Sequence, residues 1–372
     1  MKESIINLFT HLHEHAEVSW KEIETTNYLV ALFEEAGFQP QRFQHIPGFS
    51  VEIGEGSPKI GLRADMDALW QEVNGEMRAN HSCGHDAHMT IVTGVMQQLQ
   101  KIGHLNGTVR AIFQPAEELG NGSLSVIQEG VIDDLDYLYG VHVRPFDEIS
   151  YPNCAAGIQH GACLFVKGQI DGLDHHGARP HKGINAIEVV TSIVQQLSFT
   201  HIDPHIAATV KMTNVHAGTE NFNIIPGKAS FGLDLRAQTN EVMEQLKAKV
   251  ENVCQQLSAL YHVPIHIEFF DHVPAAVVNE EAAHFMAQAI EHILERPAIP
   301  IIITPGADDF HFYTIERPHL KATMLGLGAD VTPGLHDPYM QFNHQSMEKG
   351  IAILTDVCLR TIKQFHMKEG ED

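Results

Sequence analysis

The sequence predicts an α/β fold in which a sheet domain is interrupted by a smaller α+β module. Two observations carry this expectation. Strand-like and helix-like patterns alternate through the first part of the chain and again near its end, the rhythm of a largely parallel sheet covered by helices. Between them the order changes to β-α-β-β-α-β, the split βαβ or ferredoxin-like pattern. A chain of 372 residues is long enough for two domains. The expected boundaries are 1–161 plus 273–372 for the α/β domain and 162–272 for the insert.

In chain order, helical patterning covers about 3–36 and stops at Gly37, with Ile5, Leu8, Phe9 and Leu12 forming the apolar stripe of its first part. The segments "SVEIG" and "KIGLRA" read as short strands around a Gly/Pro turn. A helix, "AHMTIVTGVMQQLQKIG", ends near Gly103, and "TVRAIF" and "DYLYGVHV" are apolar strands. In the insert, "ACLFVKGQIDG" is a strand, "NAIEVVTSIVQQLSF" a helix, and "AATVKMTNVHAG" and "ASFGLDLRA" are strands. The helix "EVMEQLKAKVENVCQQLSALY" and the strand "IHIEFF" complete it. Then come a helix over 280–295, the strands "IPIIIT" and "ATMLGLG", and a last helix from about 346 to 365. The sequence has no internal repeat, low-complexity tract or long linker.

Composition narrows the partners. With 47 acidic and 24 basic residues the formal charge is −23, which argues against nucleic acid and against an anionic membrane. Small anionic substrates are not excluded, because bound metal ions invert a local field. No apolar run approaches the length of a membrane span, and the N-terminus lacks the long apolar core of a signal peptide. The 5 cysteines are scattered and odd in number, as expected for free thiols in a reducing compartment, so the expected location is cytoplasmic.

The 26 histidines are unusually many, and most read as surface or satisfied core residues. The informative ones lie at the ends of expected strands, where open α/β sheets bind their ligands. After "KIGLRA" comes Asp65-Met66-Asp67; "HSCGHDAH" places Cys83 two residues before His85, with Asp86 and His88 following. Glu117-Glu118 follows "TVRAIFQPA", His142 follows "DYLYGV", and His336 sits in the Gly/Pro-rich "TPGLHDPY". Cys83, His85, Glu118, His142 and His336 supply one thiolate, three imidazoles and one carboxylate, a donor set for zinc-type ions. That is too many for one tetrahedral ion with an open position. It suits two ions about 3.5–4 Å apart that share a bridge, a known hydrolytic arrangement. Adjacent carboxylates diverge, so one can bind metal while the other faces the substrate, where a carboxylate beside metal-bound water can act as general base; the acidic first turn of a helix would give the same dipeptide. A Cys–His nucleophile pair at Cys83 would leave Glu118, His142 and His336 unexplained. Nothing matches a P-loop, a dinucleotide fingerprint or a nucleophile elbow.

The motifs "LHEHAEVSWKEIETT", "GLRADMDAL", "HSCGHDAH", "IFQPAEE", "GVHVRP", "HHGARPHKGINAIE", "NIIPG", "DLRAQTNEVM", "GADDF" and "GLHDPY" run in order from about residue 10 to 345. With them the chain resembles the bacterial N-acyl-amino-acid amidohydrolases, hippuricases and auxin-conjugate hydrolases of the dimetal aminoacylase–carboxypeptidase family. Within that group it is most similar to the AmhX-type amidohydrolases of bacilli. The resemblance implies a zinc-exopeptidase-like α/β/α catalytic domain with an inserted ferredoxin-like lid that mediates dimers. It implies two divalent ions per subunit, zinc, manganese or cobalt, bridged by Cys83 and completed by His85, Glu118, His142 and His336. Glu117 would be the general base and later the proton donor, and Asp67 would orient a ligand. In the lid, His176 would stabilise the oxyanion, with the neighbouring His175 as the other choice. Asn223 and Arg236 would lie near the substrate; an ion pair with Asp234 is the plainer reading of Arg236. Asp309 reads as a supporting or packing residue, and His88 as a support of the site or a cap of the following helix.

Some positions depart from the group's pattern. Trp70 stands where the group usually has Pro, "DGLDHHGARPH" replaces a Gly-rich form, and His11, His13 and His15 crowd the first helix. The expected substrate is a small N-acyl amino acid or similar amide. A dipeptidase or carboxypeptidase with the same metals is the second reading. A catalytically silent binding protein is the third, and it predicts a damaged ligand set that this sequence does not show.

Overall fold

The computed structural model describes residues 2–369. The chain divides into two compact units, each with its own apolar core. The first takes the chain through Gln159, then Val277–Ile303 and the residues from Asp309 onward; the second takes His160–Ala276 and Thr304–Asp308.

The stretch expected to be one N-terminal helix is two, α1 (Lys2–Glu14) and α2 (Ile23–Glu35). Ile5, Leu8, Phe9 and Leu12 are buried as the apolar stripe requires. Helix-compatible residues fill the break, but tertiary hydrogen bonds override their propensity. Glu17 Oε2 accepts from the backbone N–H of Thr25 at 2.8 Å and from its hydroxyl at 2.9 Å, and Val18 forms a β-bridge with Ala68. After β1 (Gln41–Arg42), the two expected strands are the arms of one long element, β2 (Phe49–Asp65). A hairpin follows, β3 (Leu69–Val73) and β4 (Glu76–Asn80), turning at Asn74-Gly75, both at positive φ. Then come α3 (His85–Ile102), β5 (Asn106–Gln114), α4 (Gly122–Gln128), β6 (Tyr137–Pro145), β7 (Cys154–Ala155) and β8 (Ile158–His160).

The second unit holds β9 (Ala162–Asp171), β10 (His175–His176), α5 (Ala186–Ser198), β11 (Ala208–Ala217), β12 (Ile224–Ile225), β13 (Lys228–Ala237), α6 (Asn240–Tyr261) and β14 (Ile265–Val273). Its sheet order is β11-β13-β9-β14, antiparallel throughout, which is the ferredoxin-like arrangement. Alternation along β13 buries Ala229, Phe231, Leu233, Leu235 and Ala237. They share a core with Val189 and Ile193 of α5 and Leu246 and Val250 of α6.

On return to the first unit the chain forms α7 (Glu280–Leu294), β15 (Ile302–Thr304), α8 (Phe312–Glu316), β16 (Lys321–Val331) and α9 (Gln345–Glu369). The strand expected over "IPIIIT" is shorter because Pro300 has no N–H to give a ladder; Ile299 makes only an isolated bridge with Ala155. In the main sheet β6 lies between β2 and β16, and β5 pairs with β2. The first arm of β2 descends from Phe49 opposite Phe113 to Glu55 opposite Gly107, and the second rises from Lys59 opposite Thr108 to Asp65 opposite Gln114. The same second arm runs parallel to β6, with Ile60 opposite Tyr137, and β6 runs parallel to β16. Continuing that register places Asp65, Gln114 and His142 at one level, so the segments that follow β2 and β5 leave the sheet on the same edge as His142. Helix α3 packs on β2 and α9, and α9 packs on α7. None of the described helices is long and apolar enough to cross a membrane.

Candidate metal centre

Each donor reaches the edge for a local reason. Gly84 separates Cys83 from His85 at φ +88, and a Cβ there would meet Val143 Cγ2 at 2.5 Å. Only glycine makes this turn into α3, which leaves Cys83 in the turn and His85 as the first residue of the helix. The Glu117-Glu118 pair leaves β5 through Ala116, held at φ 53. The backbone N–H of Ala116 donates to Glu22 Oε1 at 2.8 Å, and that of Gly122 donates to the Ala116 carbonyl at 3.2 Å. A Cβ on Gly122 would lie 1.8 Å from the Pro115 carbonyl oxygen, so glycine is required there too.

The five expected ligands converge. The donor atoms of Cys83, His85 and His142 lie within 4.8 Å of one another, and so do those of Cys83, Glu118 and His336. The two groups share Cys83. Cys83 Sγ is 3.6 Å from His142 Nε2, and His336 Nε2 is 3.3 Å from Glu118 Oε1. Glu117 lies beside them, its Oε2 3.8 Å from His85 Nε2.

A second ring of bonds aims these donors. Asp67 presents its carbonyl and Oδ1 to His85 Nδ1 at 2.9 and 3.2 Å, which places a ring proton on Nδ1 and turns Nε2 toward the other donors. Its Oδ2 accepts from the Glu118 N–H at 3.0 Å and the Ser19 hydroxyl at 2.6 Å. His142 Nδ1 donates to the Val143 carbonyl at 2.7 Å, turning Nε2 toward Cys83. His88 supports the site and does not cap the helix: its Nδ1 meets Asp65 Oδ1 at 2.7 Å and its Nε2 accepts from the Val143 N–H at 3.0 Å. Behind them Arg63, fully buried, bonds Asp65, Gln114 and Asp309, and Asp309 also accepts from the Ser123 N–H. Asp309 thus packs beneath the site.

The electrostatics fit cations. Burial, followed by Glu118, pushes the Cys83 thiol well above its ordinary range. Burial opposes charge on His85 and Asp65, yet Asp65 and Cys83 hold His85 well up, while His85, Arg63 and His88 hold Asp65 well down. The hydrogen-bond contact with Glu118 raises His336. One buried atom of the cluster, His85 Nε2, has no hydrogen-bond partner. A converging sulfur, nitrogen and oxygen donor set that leaves this buried nitrogen without a partner is what two divalent ions would satisfy.

Three expected residues belong to the second unit. His176 pairs with Ile224 through β10 and β12, and the Gly177 N–H donates to the Asn223 carbonyl at 2.7 Å, so His176 and Asn223 are neighbours on an exposed turn. His176 is the more exposed of the histidine pair; His175 packs against Gly183. Arg236 lies near the other end of β13, opposite Cys163 of β9, about 26 Å along the strand from Lys228 beside that turn. Its guanidinium bonds Asp234 at 2.8 Å and lies 5.6 Å from the Phe165 ring centroid. Within one chain the structure joins His176 to Asn223 and sets Arg236 apart.

Sequence reasoning missed Arg63, Glu22 and the β3–β4 hairpin. An arginine inside the apolar "KIGLRA" next to two aspartates, and Asn74-Gly75 between alternating residues, were the available signals.

The chain matches peptidase family M20/M25/M40 over residues 61–360. It is 27% identical over 375 residues to an N-acetyl-L-cysteine deacetylase of Bacillus subtilis, covering 97% of this chain and 89% of the relative. It is 26% identical over 385 residues to an IAA-amino acid hydrolase (ILR1-like 4) of Arabidopsis thaliana, covering 97% and 86%. Its fold is similar to that of the Bacillus subtilis YXEP protein, a dinuclear metal-binding peptidase, with a TM-score of 0.84 at 24% identity over 97% and 98% of the two chains.

Proposed function

The chain belongs to peptidase family M20/M25/M40, and from that premise we propose a metal-dependent amidohydrolase that cleaves the amide bond of an N-acyl amino acid or a similar small amide. The observation that carries this is the pair of donor triads sharing Cys83, with Glu117 at their edge. Cys83, His85 and His142 would hold one divalent ion and Cys83, Glu118 and His336 the other, the ions being zinc, manganese or cobalt. When bound, such a pair supplies Lewis-acid polarisation of a carbonyl and activation of water at neutral pH.

The chain's own residues do the rest. Glu117 takes the proton of the attacking water and passes it to the departing nitrogen. Asp67 fixes the tautomer of His85 and, through the Glu118 N–H, the start of the carboxylate pair. His176 stabilises the developing oxyanion and Asn223 holds the substrate beside it; their adjacency on an exposed turn supports these roles. Arg236 anchors the substrate carboxylate, a role its half-exposed guanidinium supports; because the His176–Asn223 turn lies at the far end of β13 from it, the turn that serves the same substrate comes from the partner subunit. The exposed outer strand β11 supports a homodimer formed through the second unit. Free thiols at all five cysteines support a cytoplasmic setting.

Glu117→Gln tests the reading. Turnover should fall by about 10²–10⁴-fold while zinc content stays at the wild-type level. Full activity in a folded variant would sink the assignment. A panel of N-acyl amino acids, dipeptides and longer peptides sets the substrate class, and cleavage of peptides alone would move the protein to a dipeptidase or carboxypeptidase.

A further inference from the structure

We propose that Gln71, the central residue of β3 in the β3–β4 hairpin, is the positioning residue of the His336 ligand. The inference rests on the reading of His336 as a ligand and adds a device that holds it in place. His336 is the exposed member of the set: its side chain is 53% accessible, against 9% for Glu118. It also sits at φ 65, a left-handed conformation that a non-glycine residue keeps only where its surroundings over-determine it.

Two bonds to its backbone do this. The His336 N–H donates to the Ser82 carbonyl at 2.7 Å, and Gln71 Nε2 donates to the His336 carbonyl at 2.8 Å. The Gln71 amide has one orientation, because its Oε1 already accepts from Asn80 Nδ2 at 3.0 Å and from the Ser82 hydroxyl at 2.8 Å. The same hairpin holds the residues that follow, with Asn80 Nδ2 donating to the Pro338 carbonyl at 3.1 Å. Ser82 immediately precedes Cys83. Gln71 therefore bonds the segment of His336, a donor of one triad alone, directly, and reaches Cys83, the donor both triads share, only through Ser82. Loss of its amide should loosen one ion and spare the other.

The test is a zinc titration of the metal-free full-length chain by calorimetry, comparing wild type, Gln71→Met, Ser82→Ala and His336→Ala. Methionine keeps the shape of Gln71 and removes its hydrogen bonds. In Gln71→Met one zinc should bind as in wild type and the second about 10–100-fold more weakly. Ser82→Ala, which frees the amide but leaves its bond to His336, should shift the same ion less. Hydrogen exchange at the His336 amide should quicken in metal-free Gln71→Met while α3 keeps its protection, which separates positioning from general destabilisation. Two zinc ions at wild-type affinity in Gln71→Met, or equal weakening of both, would overturn the proposal. If His336→Ala itself still binds two ions with wild-type affinity, the ligand reading fails instead.

Discussion

The metal cluster of the first unit and the polar turn of the second are built to opposite specifications. Cys83, His85 and His142 are buried, and the histidines are aimed by bonds from Asp67 and the Val143 carbonyl. His176 and Asn223 lie on exposed backbone, and Arg236 is held by one carboxylate and one ring. A ligand must hold its donor atom to within tenths of an ångström before any ion arrives. A side chain that meets substrate needs access and room to move. Substitution of the buried residues that hold the donors should therefore disturb folding and metal together, and substitutions on the turn should disturb catalysis alone.

The largest expected break in that contrast is Arg63→Met. It leaves Asp65 and Asp309 buried without their shared cation. Unfolding by urea should show a loss of about 3–5 kcal/mol, and a loss below 1 kcal/mol would show that the cluster is not held from beneath.

Glu22 comes next. Burial, followed by the charge of Asp67, raises its carboxyl from 4.5 to about 7. Between those values the folded chain binds a proton that the unfolded chain has released, so stability falls as pH rises through this window and levels off above it. Glu22→Gln keeps an acceptor for the Ala116 N–H and removes the charge. It should match wild type near pH 4 and exceed it by about 1–3 kcal/mol at pH 8. An equal difference at both pH values would assign the effect to something other than ionisation.

The turn should answer differently. His176→Ala should leave the melting temperature unchanged, with a stability change within about 0.5 kcal/mol, and lower kcat by about 10²-fold or more. The smallest effect on turnover is expected at Arg236. Arg236→Ala removes a half-exposed ion pair and should cost less than about 1 kcal/mol while raising KM for substrates that carry a carboxylate. Unchanged KM would leave Arg236 as the partner of Asp234 only.

The same contrast explains what could be read from the sequence. Cys83, His85, Glu117 and Glu118 stand beyond strand ends and His142 lies within the last half of β6, and strand patterning is local, so their convergence was legible. The order β-α-β-β-α-β of the second unit was legible for the same reason. The residues that hold the donors were not. Glu22 lies in a stretch whose composition reads as helix, and its partner Ala116 is 94 residues away. Gln71 is an ordinary strand residue until its amide meets a loop 265 positions later. Their roles rest on single long-range hydrogen bonds, which leave no periodicity behind.

The account's central claim is that one thiolate serves two ions. Elemental analysis of zinc-saturated protein after dialysis tests it most directly, using wild type, His142→Ala and Cys83→Ala. The expected result is two ions per chain in wild type, one in His142→Ala, and loss of both in folded Cys83→Ala. One ion per chain in wild type, or two retained without Cys83, would contradict it.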